Sequence, residues 1–249
     1  TRWTWGQFKF SMPMMRERKL RPDGQLPGEK IGQFHEQARI MRRFMEKPFL
    51  GCLSALEECP RNPICSHLLA ESWLRRLADE SGHVVQFVLA IEDAGKRPVG
   101  FKPKPVGVGE AITFPGFCQE HDSTLFSCLE NEVFTASQRQ LALLAYRSVC
   151  QDICIKHQML KCNLPAALAP ESPDFFAQKA TGQFRLFLEL LKRKLRIEEM
   201  LRVNRFALES YVVEFEHAPT FVVATTFLPY VTFSGRELEH PRMDWVTLT

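Results

Sequence analysis

The sequence lacks several features that would assign a chain to a broad class. It has no apolar run of transmembrane length, and no basic segment leads into a hydrophobic stretch as in a signal peptide. We therefore expect a cytoplasmic protein without a membrane partner. Repeats and low-complexity tracts are also missing. The net charge is only +3, so overall charge gives no argument for nucleic-acid binding, and local basic clusters favour it only weakly.

The composition is that of a globular protein. The 249 residues are 45% hydrophobic and 24% charged, which is enough for one large domain or two small ones. A core of this size forms without disulfides. The eight cysteines therefore fit a reducing compartment with metal-bound thiolates better than a disulfide framework. A redox or disulfide protein remains the weaker alternative.

Cysteine and histidine cluster in two halves of one central stretch. Cys118 and His121 are separated by two residues, a gap that lets both ends of one turn bind the same zinc ion. Cys52 and Cys59 supply the two further ligands of a tetrahedral site. Cys65 competes with them, because it could replace Cys52. We predict a structural zinc held by Cys52, Cys59, Cys118 and His121.

The same stretch resembles a known family. Ser66-His67 precedes an apolar pair, and Phe117-Cys118-x-x-His121-Asp122-x-x-Leu125-Phe126 follows later. Together these motifs resemble the HNH endonucleases, and also a group of uncharacterised bacterial proteins with an HNH-like knuckle. The resemblance covers residues 50–135 and implies a treble-clef, ββα-metal-like core.

The resemblance implies roles for residues that spacing alone does not assign. His67 matches the general base that activates water, and Asp122 matches a ligand of a catalytic Mg²⁺ or Mn²⁺ ion. Glu130 could supply a second carboxylate to that ion. Thr113 and Phe114 occupy the region where the family carries its middle asparagine, and this departure favours an inactive centre.

Apolar periodicity and turn residues divide the chain into four segments. They are an N-terminal strand and helix extension (1–50), the HNH-like zinc knuckle domain (51–135), a helical segment (136–210) and a C-terminal β region (211–249) that we expect to be truncated. Thr135 with Gln138 predicts a capping box at the start of the helical segment. The predicted fold is α+β: a zinc-stapled treble-clef core with an added helical segment and a C-terminal β-hairpin region.

Two functions follow as expectations. The first is metal-dependent hydrolysis of phosphodiesters in nucleic acid, with DNA as the expected substrate. The alternative is a catalytically inactive, zinc-stabilised module that binds nucleic acid or protein. The amphipathic helical segment is a candidate surface for a protein partner or a homodimer.

Overall fold

The structure is a computed structural model that describes residues 51–54, 59–90, 100–168, 174–208, 210 and 212. The fold is mixed α+β, as the sequence predicts. The predicted N-terminal extension, 1–50, lies outside the described residues, as does almost all of the predicted C-terminal β region. The described elements run in the order β1 (Cys65–His67), α1 (Glu71–Leu77), β2 (His83–Ala90), β3 (Gly100–Gly107), β4 (Thr113–Pro115), α2 (Gln119–Leu125), α3 (Ser127–Glu130), α4 (Gln138–Leu168) and α5 (Asp174–Val203).

The strands form two separate antiparallel pairs. In the sequence, the β2–β3 pair lies between the two strands of the β1–β4 pair. β1 pairs with β4, so that His67 lies opposite Thr113. β2 pairs with β3 along their full length, from His83 opposite Gly107 to Ala90 opposite Gly100. The inner pair fills the long connection between β1 and β4. The outer pair is followed at once by α2, which gives the order strand, strand, helix around His67.

The two long helices, α4 and α5, pack side by side and run antiparallel. On α5 the buried residues Phe184, Phe187 and Leu191 recur three and four positions apart, which is the spacing of one helix face. On α4 the fully buried residues Leu143 and Tyr146 follow the same rule. None of the helices in the described part of the chain is long and apolar enough to cross a membrane.

One hydrophobic core joins the region around β4 and α2 to the two long helices. The Phe117 ring lies 4.9 Å from the Phe126 ring and 5.7 Å from the Tyr146 ring, centroid to centroid. Phe117 and Phe126 come from the stretch around α2, whereas Tyr146 comes from α4. Leu53, close to the first predicted zinc ligand, packs in the same cluster. The position of α4 therefore depends on the same aromatic residues that support the knuckle.

Candidate functional site

Four side chains converge on one point between Cys52, Cys59 and the start of α2. The ligand atoms of Cys52, Cys59, Cys118 and His121 all lie within 4.8 Å of one another. The Cys59 and Cys118 sulfurs are 3.7 Å apart, and His121 Nδ1 lies 3.2 Å from Cys52 Sγ and 3.4 Å from Cys118 Sγ. Tetrahedral zinc with sulfur at about 2.3 Å needs sulfurs about 3.8 Å apart. The group can therefore hold a metal ion, and its geometry is consistent with structural zinc.

Backbone hydrogen bonds hold the two halves of this group together. The Leu53 N–H donates to the Gly116 carbonyl over 2.8 Å, and the Ile64 N–H donates to the Phe117 carbonyl over 2.7 Å. Cys118 is the N-cap of α2, and its sulfur accepts a hydrogen bond from the His121 N–H. The helix start thus points both Cys118 and His121 at the loop that carries Cys52.

The thiols in the group differ in acidity. Burial raises the pKa of Cys118, but hydrogen bonds from the His121 N–H and from the Cys59 and Cys52 thiols outweigh burial, and the pKa falls to about 7. Burial raises the pKa of Cys52 to about 11, although the Cys118 and Ser54 N–H groups oppose it. Because metals bind the thiolate, Cys118 is more readily available as a ligand near neutral pH than Cys52.

Cys65 does not belong to the metal-binding group. It lies on β1, where Cys65 is exposed, Ser66 is buried and His67 is half-buried. This alternation gives Cys65 and His67 the same face of the strand, as predicted. The alternative in which Cys65 replaces a ligand is therefore not the arrangement in the structure, where Cys52 fills that position.

His67 is held in a defined orientation at the end of β1. Its Nε2 atom lies 2.9 Å from the carbonyl oxygen of Val108. A carbonyl can only accept, so Nε2 carries the proton in the neutral ring and Nδ1 keeps its lone pair. The arrangement leaves Nδ1 suited to accept a proton from water.

Asp122 lies one residue beyond the metal-binding group, in the first turn of α2. Burial raises the pKa of this carboxyl, while the Arg147 guanidinium, the Ser66 hydroxyl and the nearby His67 act in the opposite direction. Its Oδ1 atom is buried and has no hydrogen-bond partner within the described part of the chain. A half-buried carboxylate side chain that keeps one oxygen without a donor, close to a histidine, is chemically suited to bind a divalent cation.

Glu130 has a different environment from Asp122. Its Oε1 atom accepts a hydrogen bond from Arg147 Nη1 over 2.7 Å, and its Oε2 atom accepts one from the Glu71 N–H over 3.2 Å. Both oxygens therefore have protein donors, which makes Glu130 the counter-ion of a buried arginine. Asp122 is the carboxylate of the two that keeps an oxygen without a donor.

Arg147 is a site residue that the sequence analysis did not assign. The side chain is 1% exposed, and Nη2 lies 3.9 Å from Asp122 Oδ1. Its guanidinium carbon lies 4.1 Å from the centroid of the Phe126 ring. Arg147 interrupts the apolar run from Leu141 to Val149, and a lone charge on a buried helix face is the signal that could have indicated it.

The comparisons with known proteins give no family for this chain. No protein family, curated protein or solved structure matches it. The functional assignment therefore depends on the chemistry and geometry of the residues described above.

Proposed function

We propose that this chain is a metal-dependent, HNH-like nuclease that hydrolyses phosphodiester bonds in DNA. One observation carries the proposal. An antiparallel strand pair followed by a helix brings His67 and Asp122 close together beside a Cys₃His group. This order of elements agrees with a treble-clef, ββα-metal-like core, the fold implied by the resemblance to HNH endonucleases.

In the proposed mechanism, His67 is the general base. The Val108 carbonyl orients the ring, so that Nδ1 can remove a proton from the attacking water. Asp122, whose Oδ1 atom has no hydrogen-bond partner among the described residues, would hold the catalytic cation. Mg²⁺ or Mn²⁺ held there would supply positive charge to the phosphate and to the leaving oxygen. Arg147 is a positioning residue, because it lies between the two carboxylates without being exposed to substrate.

The Cys₃His group has a structural role in this proposal. Cys52, Cys59, Cys118 and His121 would hold zinc, and three thiolates with one imidazole form a closed site without a position for water. The zinc would connect the loop before β1 to the start of α2. Asp122 follows His121 directly, so the metal would also position the catalytic carboxylate.

A second function is an inactive, zinc-stabilised binding module. Two observations favour it: Thr113 and Phe114 lie where the HNH family carries its middle asparagine, and both oxygens of Glu130 already have donors. In this case Asp122 would be the only described carboxylate of the centre able to bind a cation. The helical segment would then supply a binding surface for a partner or a second copy, although the apolar face of α5 packs on α4 here.

The test is cleavage of supercoiled plasmid DNA with and without Mg²⁺ or Mn²⁺. We expect His67→Ala to lower the nicking rate by about 10²- to 10⁴-fold, because a general base contributes that much. Asp122→Asn should raise the cation concentration needed for half-maximal cleavage. His83→Ala is the matched control, since His83 is exposed on β2 and its ring hydrogen-bonds to the neighbouring Ser81.

Zinc content must be measured on the same samples, so that loss of activity is not confused with loss of the fold. Unchanged cleavage in His67→Ala contradicts the catalytic assignment. A zinc-loaded wild-type chain that cuts no DNA with any divalent cation supports the inactive binding module instead.

A further inference from the structure

The hairpin formed by β2 and β3 has its base next to the candidate site. Each strand has eight residues, which gives a ribbon about 27 Å long. Its base is packed against the protein, where Val84 shares a small buried cluster with Leu69, Leu74, Val108 and Ala111. Farther along, Val85 and Phe87 are 66% and 68% exposed. The hairpin is therefore anchored at one end and open to solvent beyond it.

The two faces of the ribbon have different chemistry. Residues directly opposite each other in an antiparallel pair share a face. The outer face is apolar, with Val85 opposite Pro105 and Phe87 opposite Pro103. We call the other side the inner face, which carries the pairs Val84–Val106 and Gln86–Lys104, with Lys102 two residues before Lys104 on the same face.

The inner face is turned toward the candidate site. Val84 is buried at its base, and the Gln86 side chain accepts a hydrogen bond from the Ile112 N–H over 3.3 Å. Ile112 in turn accepts from the Leu68 N–H, next to His67. Lys104 and Lys102 continue this face along the ribbon, and both are exposed. The side of the hairpin that contacts Ile112 at its base therefore carries two exposed lysines farther along.

The hairpin also connects directly to the proposed general base. Val108 follows β3 and provides the carbonyl that accepts the hydrogen bond from His67 Nε2. The Val108 N–H donates to the Gly82 carbonyl at the other end of the ribbon base. The orientation of the His67 ring and the base of the ribbon therefore depend on the same residue, Val108.

Strand addition at the β3 edge is disfavoured. Pro103 and Pro105 have no backbone N–H to donate to a neighbouring strand, and lysine on an edge strand also discourages pairing. A partner of this hairpin must therefore be recognised by side chains. Two exposed lysines about 7 Å apart on one face suit a regularly spaced anion.

We propose that the inner face of the hairpin binds the phosphate backbone of duplex DNA, with Lys102 and Lys104 as the contacting residues. This proposal rests on the proposed nuclease function and names the surface that guides substrate to His67. The major groove of B-form DNA, about 12 Å wide, admits a two-stranded ribbon. The deep, narrow major groove of duplex RNA does not, which favours DNA as the partner.

The test measures binding of the full chain to duplex DNA of several sequences over a range of NaCl concentrations, without added Mg²⁺. In the double variant Lys102→Gln, Lys104→Gln, binding weakens equally for all sequences. The slope of log affinity against log salt falls by about 2, because each phosphate contact contributes about 1. The matched control is Lys156→Gln, Lys161→Gln, which removes two charges from α4 and leaves the slope within error of wild type.

The outcomes separate this proposal from the proposed function. If the wild-type chain cleaves DNA and the hairpin variant keeps its affinity and salt slope, the hairpin assignment is wrong and the nuclease assignment stands. An equal loss in the α4 control, or a larger loss for duplex RNA than for DNA, also overturns the hairpin assignment. A wild-type chain that neither binds nor cleaves DNA overturns both. DNA binding by His67→Ala with an unchanged salt slope supports the hairpin proposal.

Discussion

Single cysteines in this chain have three different environments. All eight are free. Three of them converge with His121 in the metal-binding group, whereas Cys65 and Cys162 are exposed. On α4, burial raises the pKa of Cys150 and brings the pKa of Cys154 to about 12. Thiols that stay protonated behave as small apolar residues, so the Cys150/Cys154 pair is packing and not a second metal site.

Buried charge is the other notable feature at this scale. Arg147 is fully buried, and burying an unpaired guanidinium would cost several kcal/mol, of the order given for a broken buried pair. Glu130 compensates this cost through a hydrogen bond, and the Phe126 ring adds a cation–π contact. The same guanidinium approaches Asp122. The position of α4 therefore determines where the Arg147 charge lies next to Asp122.

His157 gives a prediction for pH dependence. Burial on α4, with a smaller effect of Lys161, lowers the pKa of His157 from 6.5 to about 4. The unfolded chain therefore binds a proton between pH 6.5 and 4 that the folded chain does not. The contribution of the neutral His157 ring to the unfolding free energy is complete above pH 6.5. It is lost as the pH falls toward 4, with a slope of up to about 1.4 kcal/mol per pH unit.

We expect His157→Gln to have a shallower pH dependence of the unfolding free energy over this range, measured by urea titration at each pH. His83→Gln, which changes an exposed histidine, should keep the wild-type slope. Identical slopes in His157→Gln and wild type would show that the buried ring does not titrate as described.

At the scale of elements, the turn from β4 into α2 determines the geometry of the site. Gly116 and Phe117 supply the carbonyls that accept from Leu53 and Ile64, so this turn is bound to both upstream segments. Phe114 and Phe117, on either side of Gly116, place their rings in the core. A small change in the turn therefore affects both the metal-binding group and the packing beneath it.

Gly116→Ala tests this dependence. A Cβ atom at Gly116 would lie 2.2 Å from Cε2 of the buried Phe114 ring, so the ring or the turn must move. We expect a loss of about 1–3 kcal/mol in the unfolding free energy, the usual effect of overpacking. Gly109→Ala is the control, because nothing lies within 4 Å of a Cβ there. Equal stability of the two variants in urea denaturation would contradict the role given to the turn.

Local signals in the sequence predict these elements well, but not the residues at which they begin and end. The two-residue gap between Cys118 and His121 predicts a chelating turn, and the structure has one. The capping box is shifted: the Ser137 hydroxyl accepts from the Gln140 N–H, and the Gln140 side chain accepts from the Ser137 N–H, so Thr135 is not the N-cap. Thr135 and Ser137 both fit the capping pattern in the sequence. Ser137 is the residue that caps the helix, because the Gln140 side chain is also held in place by hydrogen bonds to the Cys128 and Val133 carbonyls.

For the whole molecule, the region around the metal-binding group and the two long helices share one core in the described part of the chain. The Tyr146 hydroxyl reaches the Leu53 carbonyl at 3.1 Å and also Oε1 of Glu198 on α5, the oxygen that Lys194 bonds as well. Loss of order around Cys52 would therefore disturb a contact that involves both long helices. Removal of the metal should therefore lower the stability of the helices as well as of the knuckle.

Contacts between distant residues are the part that the sequence could not predict. Arg147 meets Glu130 and Asp122 only because α3 and α4 pack at one angle, and no local pattern encodes that angle. The basic inner face of the β2–β3 hairpin likewise depends on which side of the ribbon packs on Ile112. The metal ligands were predictable because spacing within each half limits the choice, although only the structure selects Cys52 over Cys65.

The Cys₃His group is the centre of the candidate site, and X-ray absorption at the zinc edge of the chain purified without added metal is its most direct test. We predict one zinc per chain with three sulfur ligands at about 2.3 Å and one nitrogen at about 2.0–2.1 Å. The signal should disappear in Cys118→Ser and persist in Cys65→Ser. Absence of zinc, a shell of four sulfurs, or loss of zinc in Cys65→Ser would contradict the account.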